Sequence, residues 1–251
     1  MMLAEFFLIS LSFGVGLFTF LANPRATGGG FLKLVASLCA SSVLIALAIH
    51  LTYDTVLGES TLLLSGALVA FTGIYFLQGD EKTPLMRLFF ILHNTCLLAA
   101  MFNFHHHDWH SFLFALASSL LLGSVTYAMV MGHWYLVTPK LSEKPLIVAS
   151  YFSWVFLIVK ITWTGVVCYK LSDYFSPGTT LGAGYLFNWL MLTMRAGWGY
   201  FVIVVMSYFS YRLIAMRSIQ SATGMLYAMT FFVFIGELIA NYMFLEYGMK
   251  I

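Results

Sequence analysis

Charge is what this sequence has least of. Only 9% of its 251 residues are charged, whereas 61% are apolar, and a soluble domain usually carries about 25% charged residues. So few charges cannot cover a surface that faces water, which excludes a soluble globular protein. The 12 Lys and Arg residues nearly balance the 10 Asp and Glu residues and form no dense basic run. Nucleic acid is therefore not an expected partner.

Cysteines and catalytic motifs are also scarce. The three cysteines lie within or at the ends of apolar runs and show no CxxC spacing, so neither a disulfide framework nor a thiolate metal site is predicted. They are expected to behave as small apolar side chains; they are Cys39, Cys96 and Cys168. There is no Ser/His/Asp order and no Gly-rich phosphate loop. The sequence therefore predicts no catalytic residue, and whether the protein is an enzyme stays open.

Long apolar runs fill most of the chain. In hydrocarbon every backbone N–H and C=O must be satisfied internally, so a spanning chain forms helices or a closed barrel. Continuous runs favour helices, because barrel strands alternate, and a spanning helix needs about 20 mostly apolar residues. The sequence predicts an all-α, polytopic transmembrane bundle, a single integral membrane domain over 1–251 without a convincing internal repeat. Its eight spans are predicted at 3–22, 31–53, 61–78, 86–104, 111–137, 146–170, 184–213 and 221–246.

Basic residues indicate the orientation of the bundle. Cytoplasmic connections are enriched in Lys and Arg, and here basic residues concentrate on alternate connections: Arg25, Lys33, Lys82, Arg87, Lys140, Lys144, Arg212 and Arg217. The opposite connections hold only two basic residues, Lys170 and Lys250. Both termini are therefore predicted on the outer, non-cytoplasmic side. The first segment lacks a positive stretch and a small-residue cleavage site, so it is expected to be a retained helix.

Three ionisable residues lie deep within predicted helices, where charge is costly and faces the bundle interior or a cavity. Lys160, Arg195 and Glu237 each lie about 15 Å from the outer end of their helix, at 1.5 Å per residue. Each shares a helix face with other polar or small residues, in the sets Ser153, Lys160 and Thr164; Asn188, Arg195 and Gly199; and Thr223, Thr230, Glu237 and Asn241. Glycines 197 and 199 also predict a kink or a close helix approach there.

These stripes predict a polar pocket. Its ligand would be anionic or carbonyl-bearing, and a quinone headgroup fits because its oxygens need donors such as Lys and Arg. The same layer could instead pass protons. The structural alternative is that Glu237 pairs with one cation and only fixes the helix register.

Histidines suggest two further sites. His93 and His133 lie about 9 and 10 Å in from the cytoplasmic ends of consecutive helices, and a six-coordinate haem iron needs two imidazoles across a gap. We therefore predict a haem b between them, with interfacial histidines or a proton path as alternatives. At the outer side, His105, His106, His107 and His110, with His50, form a candidate metal site, because imidazole binds Zn, Cu and Ni. A solvated or pH-sensing loop is the alternative there. Glu5, near the outer start of the first helix, is expected to face water.

Three functions remain open. In general look the chain is similar to the small multi-helix membrane subunits of bacterial respiratory complexes, although no residue-level motif carries the likeness. The leading hypothesis is a subunit of an electron-transfer system in a bacterial inner membrane, with haem b, quinone or both as cofactors and other membrane subunits as partners. One alternative is a transporter or a proton or ion channel that uses the Lys160, Arg195 and Glu237 layer. Another is an accessory structural subunit without its own cofactor.

Overall fold

The computed structural model describes residues 2–22, 27–53, 58–77, 85–138 and 141–251. Over these ranges the chain is helical and contains no strand. Eight of its helices are long and apolar enough to cross a membrane, as predicted. They are α1 Met2–Phe18, followed by a 3₁₀ turn Thr19–Leu21, α2 Gly29–His50, α3 Glu59–Leu77, α4 Leu85–Phe104, α5 Trp109–Val137, α6 Lys144–Lys170, α7 Tyr185–Ala215 and α8 Ile219–Tyr247.

The helices form two rings of four. In the first ring α1, α2, α3 and α4 pack in sequence order, and α4 returns to α1; in the second, α5 to α8 repeat that order, and α8 returns to α5. Because each ring contains an even number of spans, α5 runs in the same direction as α1. Both chain termini lie at one end of the bundle, where the His105 ring lies between Phe6 of α1, at 5.0 Å, and Phe244 of α8, at 5.4 Å. We call this the terminal end and the opposite one the far end.

The membrane side that the terminal end faces stays a prediction. Several of the basic residues on which the orientation depends, Arg25, Lys82 and Lys140, lie outside the described residues.

The two rings meet where α1 crosses α5 at Gly14 and Gly123. A Cβ atom on Gly14 would lie 2.2 Å from the carbonyl oxygen of Ser119 and 2.7 Å from the Cα of Gly123. Any side chain would clash at these distances, so the two backbones are in direct contact, as small residues allow between membrane helices. This crossing places α1 and α5 in the middle of the molecule.

The ends of the helices follow from local chemistry. Pro145 stands in the first turn of α6, where its missing N–H costs no hydrogen bond. Helix α8 ends at Gly248, whose φ of 69° is left-handed and whose N–H binds the carbonyl of Phe244; glycine adopts this conformation without strain. Helix α5 begins at Asp108, whose carboxylate accepts hydrogen bonds from the backbone N–H groups of His110 and Ser111.

The Asp108 cap makes stability depend on pH. The Ser111 hydroxyl, the backbone amides and Lys250 lower the pKa of the Asp108 carboxyl well below its usual value. The carboxylate therefore stabilises the fold above the usual aspartate range, and that contribution is lost progressively as the pH falls from that range toward the lowered pKa. We expect Asp108→Ala to lower the melting temperature at neutral pH, with the difference from wild type shrinking in acid. Melting curves across pH, with the exposed Asp173→Ala as control, test this; a gap that is independent of pH would contradict it.

Candidate functional site

The three deep ionisable residues meet in the middle of the second ring. Arg195 Nη2 donates to Glu237 Oε1 at 2.8 Å, and Lys160 Nζ lies 3.7 Å from Glu237 Oε2. All three side chains are at most 1% exposed. Since they come from α6, α7 and α8, this contact ties three helices together at one depth. We call Lys160, Arg195 and Glu237 the charged layer.

Helix α5, the remaining helix of the second ring, also contacts Lys160. Its Nζ donates to Ser118 Oγ at 2.8 Å and lies 3.8 Å from the ring centre of Phe114, both on α5. A cation over an aromatic face is stabilised by the ring quadrupole, most of all away from water. Sequence reasoning missed both residues. Ser118 lies nine residues into α5, about 14 Å at 1.5 Å per residue, so a depth count could have found it.

Arg195 occupies a slot that two glycines make possible. A Cβ on Gly236 would lie 2.9 Å from Arg195 Nη1 and 2.6 Å from the Cα of Gly199. Helix α7 opens here into a π-helical turn over Gly197–Val202, a feature that is frequent at functional sites. The guanidinium lies 4.3 Å from the ring centre of Tyr200. The close approach predicted for this stretch is therefore confirmed.

Two cations and one anion leave the charged layer unbalanced. Arginine keeps its proton in proteins, whereas lysine can lose it when buried. With Arg195 and Glu237 ionised, the layer carries a formal charge of +1 when Lys160 is protonated and of 0 when it is neutral. A structural ion pair needs only Arg195 and Glu237, which already lie in hydrogen-bond contact. Lys160 is the additional group, with its Nζ 3.7 Å from Glu237 Oε2.

Polar groups lie on both sides of the charged layer inside the second ring. Toward the far end, Ser153 Oγ donates to Ser124 Oγ at 3.1 Å, about 10 Å beyond Lys160 along α6. Toward the terminal end, the Thr164 and Tyr200 hydroxyls are 2.6 Å apart. Asn241, one turn from Glu237, is buried, and neither atom of its amide has a hydrogen-bond partner in the described chain. Such buried atoms call for water or a ligand.

The polar stripes predicted from helical spacing are buried, but one member, Asn188, does not face the charged layer. The side chains of Ser153, Thr164, Thr223, Thr230 and Asn241 are all buried. Asn188 is buried too, but its amide donates at 2.9 Å to the carbonyls of Tyr174 and Leu181. It therefore holds the loop that precedes α7 by hydrogen bonds, and it lies apart from the charged layer.

His93 lies in the core of the first ring. It is fully buried, with Nδ1 3.2 Å from the carbonyl of Ala67 and Nε2 3.3 Å from Ser12 Oγ. Phe71 packs on the ring at 3.8 Å. Both ring nitrogens thus have partners on neighbouring helices of the same ring.

His133 has a different environment. It is exposed, and its Nδ1 lies 2.9 Å from the Tyr227 hydroxyl on α8 of the second ring. Among the described residues, the partners of His93 and of His133 are different side chains and carbonyls, although the sequence puts the two histidines at similar depths. Haem ligation by this pair stays a prediction.

The histidines at the terminal end point into separate surroundings. The His107 ring packs on Phe102, and His110 packs on Trp163, while His106 has a left-handed backbone with φ 49°. Burial lowers the pKa of His105 to about 4, so this ring stays neutral near pH 7. Among the described residues, no group of three or more His, Cys, Asp or Glu side chains is arranged to hold a metal ion. The structure therefore does not bring the predicted ligands together.

The expectation that Glu5 faces water is wrong. Glu5 is fully buried, and its Oε1 lies 2.7 Å from Nδ1 of His50 on α2. The physical reason is the position of α1, the first-ring helix that also packs against α5 and α8 of the second ring, so that even its first turn is covered by neighbours. His50, predicted to join a metal site, instead lies against this carboxylate.

The three cysteines differ in burial, because Cys39 is buried and Cys96 and Cys168 are only partly buried. Cys39, Cys96 and Cys168 are free thiols, and Cys39 is fully buried in the first ring. Its Sγ lies 3.6 Å from the carbonyl of Ser12, whose hydroxyl donates to the Cys39 carbonyl at 3.2 Å.

Comparisons with family models, curated proteins and solved structures find no match to this chain. The charged layer must therefore be interpreted from its own geometry and chemistry.

Proposed function

We propose that this membrane protein moves protons across the bilayer through the second ring, with the charged layer as the relay. The observation that supports the proposal is the composition of the layer. Arg195 and Glu237 form a pair that is neutral by itself, and Lys160 adds one ionisable proton 3.7 Å from the carboxylate. Ionisable side chains buried in membrane helices mark proton relays and ion pathways.

The polar groups along the ring supply places for water on each side of the relay. Asn241 lies toward the terminal end, and the Ser124 and Ser153 pair lies toward the far end. Neither is in direct hydrogen-bond contact with Lys160, whose amine donates to Ser118. A proton would travel between these groups through intervening water molecules. Each such water needs two to four polar partners.

The electron-transfer hypothesis has less support. A haem held by His93 and His133 requires both imidazoles on one iron, and each ring has partners of its own. A quinone headgroup at the charged layer requires space beside Lys160, which Phe114 and Ser118 contact directly. Haem b, quinone, partner subunits and the bacterial inner membrane stay predictions from the sequence.

Proton flux into liposomes tests the proposal. Purified protein is reconstituted with a pH-sensitive dye inside, and a potassium gradient with valinomycin supplies the driving potential. We expect the wild type to acidify the lumen faster than protein-free liposomes do. Lys160→Met removes the exchangeable proton and leaves the Arg195 and Glu237 pair, so its flux should fall to the protein-free level.

Lys144→Met is the matched control, because Lys144 begins the same helix and is exposed. It should conduct like the wild type. The proposal is wrong if wild-type flux does not exceed that of protein-free liposomes, or if Lys160→Met conducts as well as Lys144→Met.

A further inference from the structure

A groove runs along the outer face of α6 at the terminal end. Its volume is about 660 Å³, and it extends from Ile158 to Leu171, with the ends of α5 and α8 on its other side. Those 13 residue steps cover about 20 Å of helix. Its walls include Ile158 and Val166, which are 64% and 49% exposed, so the groove is open toward the surrounding lipid.

The end of the groove nearest the membrane boundary is basic. Lys170 ends α6, and Lys250 follows α8; both line the groove, as does His110. Lys250 Nζ lies 3.2 Å from His110 Nδ1 and 3.5 Å from an Asp108 oxygen. The Asp108 carboxylate already accepts the hydrogen bonds that cap α5. Among the described residues, the groove lining holds two lysines and no acidic side chain, so the groove itself is positively charged.

A tryptophan supplies a hydrogen-bond donor within the same wall. Trp163 lines the groove, and its buried indole N–H has no acceptor among the described residues. An indole N–H usually finds a partner when it is buried. The ester carbonyl groups of a glycerophospholipid lie just below its phosphate, at the level where interfacial tryptophans sit.

We infer that this groove binds an anionic phospholipid, with the phosphate at Lys170 and Lys250 and an acyl chain along α6. The charge distribution selects this occupant. A wholly apolar ligand would pair with neither lysine, whereas basic pockets at the ends of membrane helices bind anionic headgroups. The inference is independent of the proton relay, because the groove residues do not include Lys160, Arg195 or Glu237.

Lipid titration of the purified full-length protein in detergent tests the inference. Binding is followed by native mass spectrometry and by the rise in melting temperature. We expect phosphatidylglycerol to bind and stabilise, and zwitterionic phosphatidylcholine to do so at least about ten-fold more weakly. Lys170→Gln with Lys250→Gln should weaken phosphatidylglycerol binding by a similar factor. Lys144→Gln, at the other end of α6, should leave it unchanged.

A second variant tests the groove without altering charge. Val166→Trp places a large side chain at an exposed position of the wall, where the fold tolerates it, and should reduce phosphatidylglycerol binding several-fold. The inference is overturned by equal binding of the two lipids, by unchanged binding in both the double lysine variant and Val166→Trp, or by an equal loss in Lys144→Gln.

Discussion

Glu237→Gln should lower the free energy of unfolding by about 3–5 kcal/mol, the cost of leaving buried charge without its counterion. The substitution keeps the shape of the side chain but removes the only anion of the charged layer. Arg195 and Lys160, both fully buried, would then have no counterion, and even with Lys160 neutral the Arg195 charge would stay unpaired in a medium that screens poorly. We expect little folded protein at temperatures where the wild type is stable.

Lys160→Met should behave in the opposite way, because it leaves a neutral Arg195 and Glu237 pair at 2.8 Å and removes the uncompensated charge. Its free energy of unfolding should equal or exceed that of the wild type. Unfolding of both variants in bicelles, followed by circular dichroism, shows which of them has the higher free energy of unfolding. If the Lys160 variant is the less stable of the two, the charge assignment for the layer is incorrect.

Gly123→Ala is expected to separate the two rings. The added methyl group would lie 2.3 Å from the Cα and carbonyl carbon of Gly14, so the backbones of α1 and α5 must move apart. Overpacking of a well-packed core typically costs about 1–3 kcal/mol, and here no flexible side chain can give way. The loss should therefore reach the upper end of that range, with reduced yield of folded protein.

Gly165→Ala is the control for this effect, since Gly165 lies in α6 and a Cβ there meets nothing within 4 Å. The same change at this position should be neutral or slightly stabilising, because alanine is the better helix former by about 1 kcal/mol. Equal melting temperatures for Gly123→Ala and the wild type would mean that the crossing is looser than the structure shows.

Helix number and position follow from the sequence because hydrocarbon imposes a simple rule. A run of about 20 apolar residues must satisfy its own backbone, so each predicted span overlaps one observed helix. The arrangement of the helices does not follow from that rule. Lipid-facing and core-facing positions are both apolar, so the sequence does not show which helix faces pack together. It also contains no convincing internal repeat that would predict two rings of four helices. Glu5 shows the consequence, because its burial depends on α1 packing against the second ring as well as within the first.

The sequence predicted the depth and the helix face of the three residues in the charged layer, and it also predicted that they meet. For the histidines it predicted the depth but not the contact partner. Lys160, Arg195 and Glu237 carry charges that must meet, since unpaired charge in the membrane is costly. His93 and His133 each have a hydroxyl or carbonyl partner of their own. Equal depth therefore does not bring two histidines together. Ser118 and Phe114 contact Lys160 but carry no charge, so the sequence does not distinguish them from their neighbours.

The protonation of Lys160 in the bilayer is the most direct test of the relay. Nitrogen NMR of lysine-labelled protein in lipid resolves the amine, and the signal is assigned by its absence in Lys160→Met. We predict that it moves reversibly between the ammonium and amine positions over the pH range in which the protein conducts. A Lys160 signal that stays at the ammonium position throughout that range would contradict the account, because the charged layer would then hold its proton permanently.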